Sequence, residues 1–464
     1  MKKIDEIIIN EGSTLRDAMK LIDKTGFGFA LIIDAGGILK GVVTDGDIRR
    51  GILRGADLKD PVSAVMNKDP VSITQGTPKD ALSGIFKTKN VVGKIPVVDE
   101  KGRVIDLALE SHGSVVFLNE QRKIPKEKID TVLVIGGAGY IGSVLVRKLL
   151  DRGYKVRVID TLLYGDESIK DLFGKPNFEF IKGDTRHVED LTSAMHSSGA
   201  VVHLAELVGD PACALDAKYT KENNLFATML VAQICKHLMI NKLVYMSSCS
   251  VYGASKDEEF LDEGSSLNPV SLYARMKLES ESSLLSLVDD NFSPCILRLA
   301  TVFGFSNRPR FDLVVNTLTA KAVTEGKIEI HGGEQWRPNV HVTDVCEAII
   351  KVLEAQNDVV RGKVFNVGSN AQNYRIKDLG ELVVKNVPGT KIVYKENASD
   401  KRNYRVSFDL IEKTLGFKAK KTVEDGIIEI KEAFMKGALS GYKDKKYSNY
   451  LSLSEYHSSQ KDKE

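Results

Sequence analysis

The sequence is poor in cysteine and tryptophan, carries almost no net charge and has no long apolar run, and each shortage argues against a class of function. Its five cysteines in 464 residues (Cys213, Cys235, Cys249, Cys295, Cys346) include no C-x-x-C pair, and none lies in the first two hundred positions. That pattern argues against a disulfide framework and a structural zinc site, suits a reducing compartment, and leads us to expect no metal. Lys and Arg number 65 against 63 Asp and Glu, a formal charge of +2. Without a field of one sign, the chain is expected to meet neither nucleic acid nor membrane, and a small molecule is the expected partner. The apolar run Ile7-Ile8-Ile9 is too short for a signal peptide, and no stretch approaches the roughly 18 apolar residues of a membrane span. The reading is a cytoplasmic protein.

What is present is length and two textures. A chain of 464 residues exceeds what one core usually organises, so at least two domains are expected. Residues 119–130, NEQRKIPKEKID, are charged, poor in large apolar residues and carry Pro125, which reads as a linker. Before it, residues 1–118 repeat weakly. A helix over Thr14–Lys24 with Leu15, Met19 and Ile22 on one face precedes a strand Phe29–Ile33, a Gly36-Gly37 turn and a strand Leu39–Val43. The second cycle is a helix Thr77–Lys87, a strand Lys94–Val98, a turn at Lys101-Gly102 and a strand Val104–Leu109. After the linker, residues 131–440 alternate apolar strands (Val132–Ile135, Lys155–Ile159, Phe178–Ile181, Ala200–Leu204, Leu243–Met246, Cys295–Leu299) with helical patterns such as Ile141–Asp151 and Phe226–His237. The expected fold class is therefore α/β, a Rossmann-type doubly wound parallel sheet with a small C-terminal substrate lobe, preceded by a smaller α+β tandem. Residues 441–464 are polar and charged and read as an extended or disordered tail.

The strand Val132–Ile135 runs directly into Gly136-Gly137-Ala138-Gly139-Tyr140-Ile141-Gly142, which opens a helix. Glycines there let the backbone turn tightly and approach a pyrophosphate, while the helix N-terminus offers N–H groups and a positive dipole. A second strand ends at Asp160, about twenty residues on, where a carboxylate accepts hydrogen bonds from the ribose hydroxyls and repels a 2′-phosphate. The expected cofactor is NAD rather than NADP.

The spacing Gly136-x-x-Gly139-x-x-Gly142 resembles the extended short-chain dehydrogenase/reductase family, which holds NAD-dependent nucleotide-sugar epimerases and dehydratases, and the resemblance spans residues 131–435. It implies that Gly136, Gly139, Tyr140, Ile141, Gly142 and Asp160 bind the cofactor. It further implies that Asp184 and Thr185, in Gly183-Asp184-Thr185-Arg186, reach the adenine, and that Leu204 and Ala205 pass under the adenosine. Asn224 takes the place of a structural Asn.

Tyr273 and Lys277 stand one helical turn apart on one face. An ammonium and a cationic nicotinamide favour phenolate, lowering the Tyr pKa towards neutrality so that it accepts a hydroxyl proton as hydride leaves. By the resemblance, Ser248 hydrogen-bonds the reacting oxygen, and the dehydratases carry Asp-Glu where this chain has Cys249 and Ser250. Neither residue supplies a carboxylate, so 4,6-dehydration is not expected, and the Glu of glucuronate decarboxylases is also missing. What remains is epimerisation, most often at C4; a ketoreductase or dehydrogenase would use the same residues, and a non-catalytic NAD- and nucleotide-sensing scaffold would need none of them. On the substrate side Arg337 and Arg402 resemble the family's two phosphate-gripping arginines, Asn316 is a further expected contact to the diphosphate or sugar, and His341 reads as structural. Galactose 4-epimerases usually carry Asn-Pro after the strand that here ends at Arg298, where this chain has Ala300-Thr301-Val302, so the sugar and base stay open.

The N-terminal repeat resembles a tandem of cystathionine-β-synthase (CBS) domains. Its Gly41-Val42-Val43-Thr44-Asp45-Gly46-Asp47 matches a motif whose Thr and Asp contact the ribose of an adenine nucleotide, with Arg49 or Arg50 near the phosphates. Val104–Glu110 lacks both residues, so at most one ribose site, at Thr44 and Asp47, is expected. Pairing of chains into a homodimer is the alternative role.

Overall fold

The computed structural model describes residues 4–25, 28–78, 84–86, 94–111, 114–117, 129–254, 260–395, 402–439 and 441–461. The chain divides into two units, Met1–Glu127 and Lys128–Glu464. All but the last two residues of the expected linker lie outside the described residues.

In the first unit the helix Leu15–Thr25 buries Leu15, Ala18 and Ile22, one apolar stripe at helical spacing, with Ala30, Ile32 and Val43. The strand Phe29–Ile33 lies between Ile8–Asn10, parallel, and Leu39–Thr44, antiparallel. In the second cycle Lys94–Val98 lies between Ile73–Thr74 and Val104–Ser111, with Ser114–Phe117 beyond. Most of the helix expected over Thr77–Lys87 lies outside the described residues. Phe29 and Leu31 of the first cycle share a cluster with Leu107 of the second, so the two repeats close one core.

The second unit is built on seven parallel strands. They are β1 (Thr131–Ile135), β2 (Lys155–Asp160), β3 (Phe178–Lys182), β4 (Ala200–His203), β5 (Lys242–Ser248), β6 (Ser293–Leu299) and β7 (Val364–Val367), in spatial order 3-2-1-4-5-6-7. Alternate residues of β1 feed opposite faces. Val132 and Val134 join a core with the helices Gly142–Asp151 and Val342–Glu354, while Leu133 and Ile135 join one with Val188–Met195 and Ala227–His237. Both faces being covered, the strands read as continuous apolar runs. Strand β7 had no counterpart in the sequence reading. A separate lobe packs the helices Val314–Glu325, Ile376–Asn386 and Val423–Met435 around Val315, Leu318, Ile328, Leu379 and Ile427. Among the described residues no helix is long and apolar enough to cross a membrane, and no cluster of potential metal ligands occurs.

The C-terminal tail corrects the sequence reading. Residues Lys445–Tyr447 form a 3-10 turn and Asn449–Lys461 an α-helix. Asn449 and Leu453, one turn apart, are both buried, and Leu453 packs with Leu207, Ala212, Cys213 and Tyr273. Composition argued for disorder because the segment holds few apolar residues. Asn449 and Leu453 nonetheless dock onto a surface that exists only once the rest of the unit has folded.

Candidate active site

A cavity of about 580 Å³ opens over the carboxyl ends of the central strands and extends to the lobe. Its floor is the loop after β1. Gly136 has φ +84°, and a Cβ there would stand 2.7 Å from Ala205 N; a Cβ on Gly142 would meet Gly136 O at 2.2 Å. Side chains are therefore excluded where the loop turns into the helix Gly142–Asp151, whose N-cap residue Ile141 makes no side-chain cap bond. Gly139, Tyr140, Ile141 and Leu204 line the same cavity, while Ala205 supports it from behind by backing onto Gly136. The Tyr140 hydroxyl faces inward, donating to Gly304 O at 2.7 Å. Asp160, at the end of β2, accepts from Ala138 N at 3.0 Å and Leu162 N at 2.9 Å, which ties it to the glycine loop. Burial raises its carboxyl, against those two N–H groups.

Ser271 caps the helix Leu272–Ser286 by accepting from Ala274 N, and the first two turns carry Tyr273 and Lys277 to the cavity beside Ser248. The Lys277 ammonium sits 5.7 Å from the centre of the Tyr273 ring. The protein's own groups hold the Tyr273 phenol above its ordinary value. Burial pushes Tyr273 up, Glu206 and Cys213 push it further, and a hydrogen bond with Ser248 and the charge of Arg310 pull it back only in part. The sequence reading missed Glu206. Its carboxylate is 2.7 Å from Lys277 Nζ, with both side chains almost fully buried, and it accepts from Tyr245 Oη at 2.7 Å and Thr228 Oγ1 at 3.3 Å. Lys277 also donates to Met246 O. A signal existed: a carboxylate three residues past the end of an apolar parallel strand stands where such sheets bind ligands. Asn224 holds the segment from behind, with Oδ1 accepting from Leu207 N and Nδ2 donating to Leu207 O.

Cys249 and Ser250 turn away from the cavity and are buried, and Cys249 Sγ donates to Arg298 O at 3.4 Å. Beneath them Glu281, one turn beyond Lys277, accepts from Arg298 at both oxygens, Nε to Oε1 and Nη2 to Oε2, and also accepts from Ser247. This buried network locks the helix of Tyr273 to β5 and β6.

At the lobe end, Arg337 and Arg402 line the cavity. Arg337 Nη1 donates to the carbonyls of Trp336 and Arg402, and Arg402 pairs with Asp210 at 3.1 Å. Asn316 is buried outside the cavity lining, where its Oδ1 accepts from Gly304 N and its Nδ2 donates to Arg310 O. Asp184 and Thr185 likewise do not line the cavity, because Arg186 folds back onto Asp184 through Nε at 3.0 Å and Nη2 at 2.6 Å. His341 is buried between Thr343 Oγ1 and Glu429 Oε2, as a structural histidine would be.

The family described as "NAD dependent epimerase/dehydratase family" matches residues 132–368. This chain belongs to that family. It is 28% identical to the UDP-glucose 4-epimerase of Lactobacillus helveticus, over 68% of this chain and 99% of that one. It is also 28% identical to the human dTDP-D-glucose 4,6-dehydratase, over 54% and 73%. The solved structure of MoeE5 in complex with UDP-glucuronic acid and NAD superposes with a TM-score of 0.57 at 26% identity, covering 67% of this chain and all of that one. CBS domains match residues 1–54 and 62–108.

As a member of the NAD dependent epimerase/dehydratase family, the chain has residues that fit the cofactor. The helix N-terminus beside the glycine loop suits a pyrophosphate. In the CBS unit, Thr44 and Asp47 form a capping box for the helix Asp45–Leu53, and Arg50 Nη2 donates to Asp47 at 2.6 Å. Burial opposes the Asp47 charge, yet Thr44 and Arg50 hold its carboxyl below the ordinary value.

Proposed function

We propose that the enzyme epimerises a nucleotide-diphosphate sugar, at C4, through a transient ketone. The observation that carries this reading is that Ser248, Tyr273 and Lys277 line one cavity while Cys249 and Ser250 occupy the positions where the dehydratases have their acid and base. The glycine loop and Asp160 would hold NAD, which would supply a reversible hydride acceptor for the sugar carbon. Tyr273 accepts the hydroxyl proton and gives it back, Ser248 holds the reacting oxygen, and Lys277 anchors the cofactor ribose. Arg337 and Arg402 grip the diphosphate through their planar forks, with Asp210 releasing Arg402 as substrate enters.

A nucleotide-sugar ketoreductase would use the same Ser248, Tyr273 and Lys277, with Tyr273 giving its proton to the ketone. The deciding experiment incubates the purified enzyme with UDP-, GDP-, dTDP- and CDP-sugars and follows both the sugar stereoisomers and NADH. Stereoisomer formation without net NADH change supports epimerisation; stoichiometric NADH consumption with a keto-sugar supports the reductase. Tyr273→Phe abolishes either reaction, and turnover retained in that variant sinks the site assignment. In the CBS unit we propose that an adenine nucleotide at Thr44 and Asp47 biases the enzyme; the same binding and activity in Asp47→Ala as in the wild type would count against it.

A further inference from the structure

We propose that Glu206 is a positioning residue for this reaction: its carboxylate fixes the Lys277 ammonium and cancels its charge at Tyr273, so the phenol becomes a base only when the cationic nicotinamide is in place. The inference rests on Tyr273 being the proton acceptor, as read above.

The geometry carries it. Lys277 Nζ and Glu206 Oε2 are 2.7 Å apart, with side chains 5% and 2% exposed, so solvent screens neither charge. Glu206 is held from two directions, by Tyr245 Oη on β5 and Thr228 Oγ1 on the helix Ala227–His237. Lys277 is bound to Met246 O and lies 4.8 Å from the centre of the Tyr245 ring. The pair is therefore locked, and Lys277 keeps contacts suited to an ammonium even without its carboxylate. A lone cation about 6 Å from a phenol in a protein interior lowers its ionisation by about two pH units; an adjacent carboxylate removes most of that.

Burial raises the Glu206 carboxyl, while Lys277, Tyr245 and Thr228 act to keep it charged. His203 on β4 is pushed down to about 3 by burial and then by Lys277. Cys213, on the helix Asp210–Leu215, is pushed up to about 12, by burial first and then by Glu206 and Asp210. Tyr245 is raised well above its ordinary value by burial and by Glu206. Arg310 remains charged beside Tyr273, and Ser248 and Thr228 do not titrate. Removing the Glu206 charge therefore reports on Tyr273.

The experiment titrates the full chain, stripped of NAD, by tyrosinate absorbance, with the Tyr273 contribution isolated by subtracting the matching Tyr273→Phe protein. Glu206→Gln should bring the ionisation of Tyr273 down by at least about one pH unit, a tenfold gain in phenolate at fixed pH. Glu206→Asp should stay near wild type, as a residue that restores the charge must. The acidic limb of the kcat profile should move with the titration, which loss of packing alone would not cause. An unchanged Tyr273 ionisation in Glu206→Gln overturns the proposal. Should that variant fail to fold, Lys277→Met and the double variant Lys277→Met/Glu206→Gln replace it. The single change should raise the ionisation and the double should return it to wild type, and a double that stays with the single overturns the proposal. No substrate enters the titration, so failure of the nucleotide-sugar reading would leave its outcome intact.

Discussion

Asn449 Oδ1 accepts a hydrogen bond from Arg308 Nη1 at 2.7 Å, while its Nδ2 donates to Val208 O at 3.1 Å. One side chain of the C-terminal segment thus joins an arginine of the cavity wall to the segment that follows Glu206. Arg308 is buried and stacks on Tyr164 at 4.0 Å, and burial lowers its guanidinium to about 10.

Asn449→Ala should strand that guanidinium. The expected loss is about 1–3 kcal/mol for a buried donor left unmet, read by denaturant unfolding of the second unit. A variant as stable as wild type would mean that the tail helix is not docked in solution.

Glu281→Ala removes the only carboxylate that the described residues pair with Arg298, and both side chains are nearly fully buried. An uncompensated buried charge costs about 3–5 kcal/mol, whereas Glu281→Leu with Arg298→Met should recover most of it. Chemical denaturation of the single and double variants tests this, and an equal loss in both would show that packing, not charge, is at stake.

Gly142→Ala should weaken NAD binding by at least about tenfold, measured by calorimetry, because the added methyl must move the carbonyl of Gly136. Gly153→Ala, at a helix end with open space around it, is the control for general strain.

The CBS unit should lose stability in acid. Asp47 has its carboxyl held below the ordinary 3.8, so the folded unit binds fewer protons than the unfolded chain in that range. Its contribution is complete above about pH 4 and is lost as pH falls through the lowered value. Asp47→Asn should be less stable than wild type at pH 7 and should show a smaller further loss below pH 4, which thermal unfolding at both pH values checks.

Where local rules govern, the sequence was a sound guide. Short apolar runs bounded by turn residues, such as Val132–Ile135, suit strands buried on both faces, and glycines between strand and helix suit a tight turn. Strand β7 escaped notice because Val364–Val367 is four residues long and becomes a strand only by pairing with β6. The surroundings of Asn316 were not legible, because an amide suits sugar and backbone equally and only the fold of residues 304–310 sets Gly304 N and Arg310 O against it.

By itself the sequence determined the two-part organisation, the glycine loop, the acidic end of β2 and the Tyr273–Lys277 pair, because each depends on neighbours within a turn or a strand. The tertiary structure alone decided the electrical setting of that pair. Glu206 and Lys277 are 71 positions apart in the chain and meet only when β4 and the helix Leu272–Ser286 converge over the sheet. Since burial magnifies every charge within a few ångströms, the base strength of Tyr273 belongs to the assembled site and not to the motif.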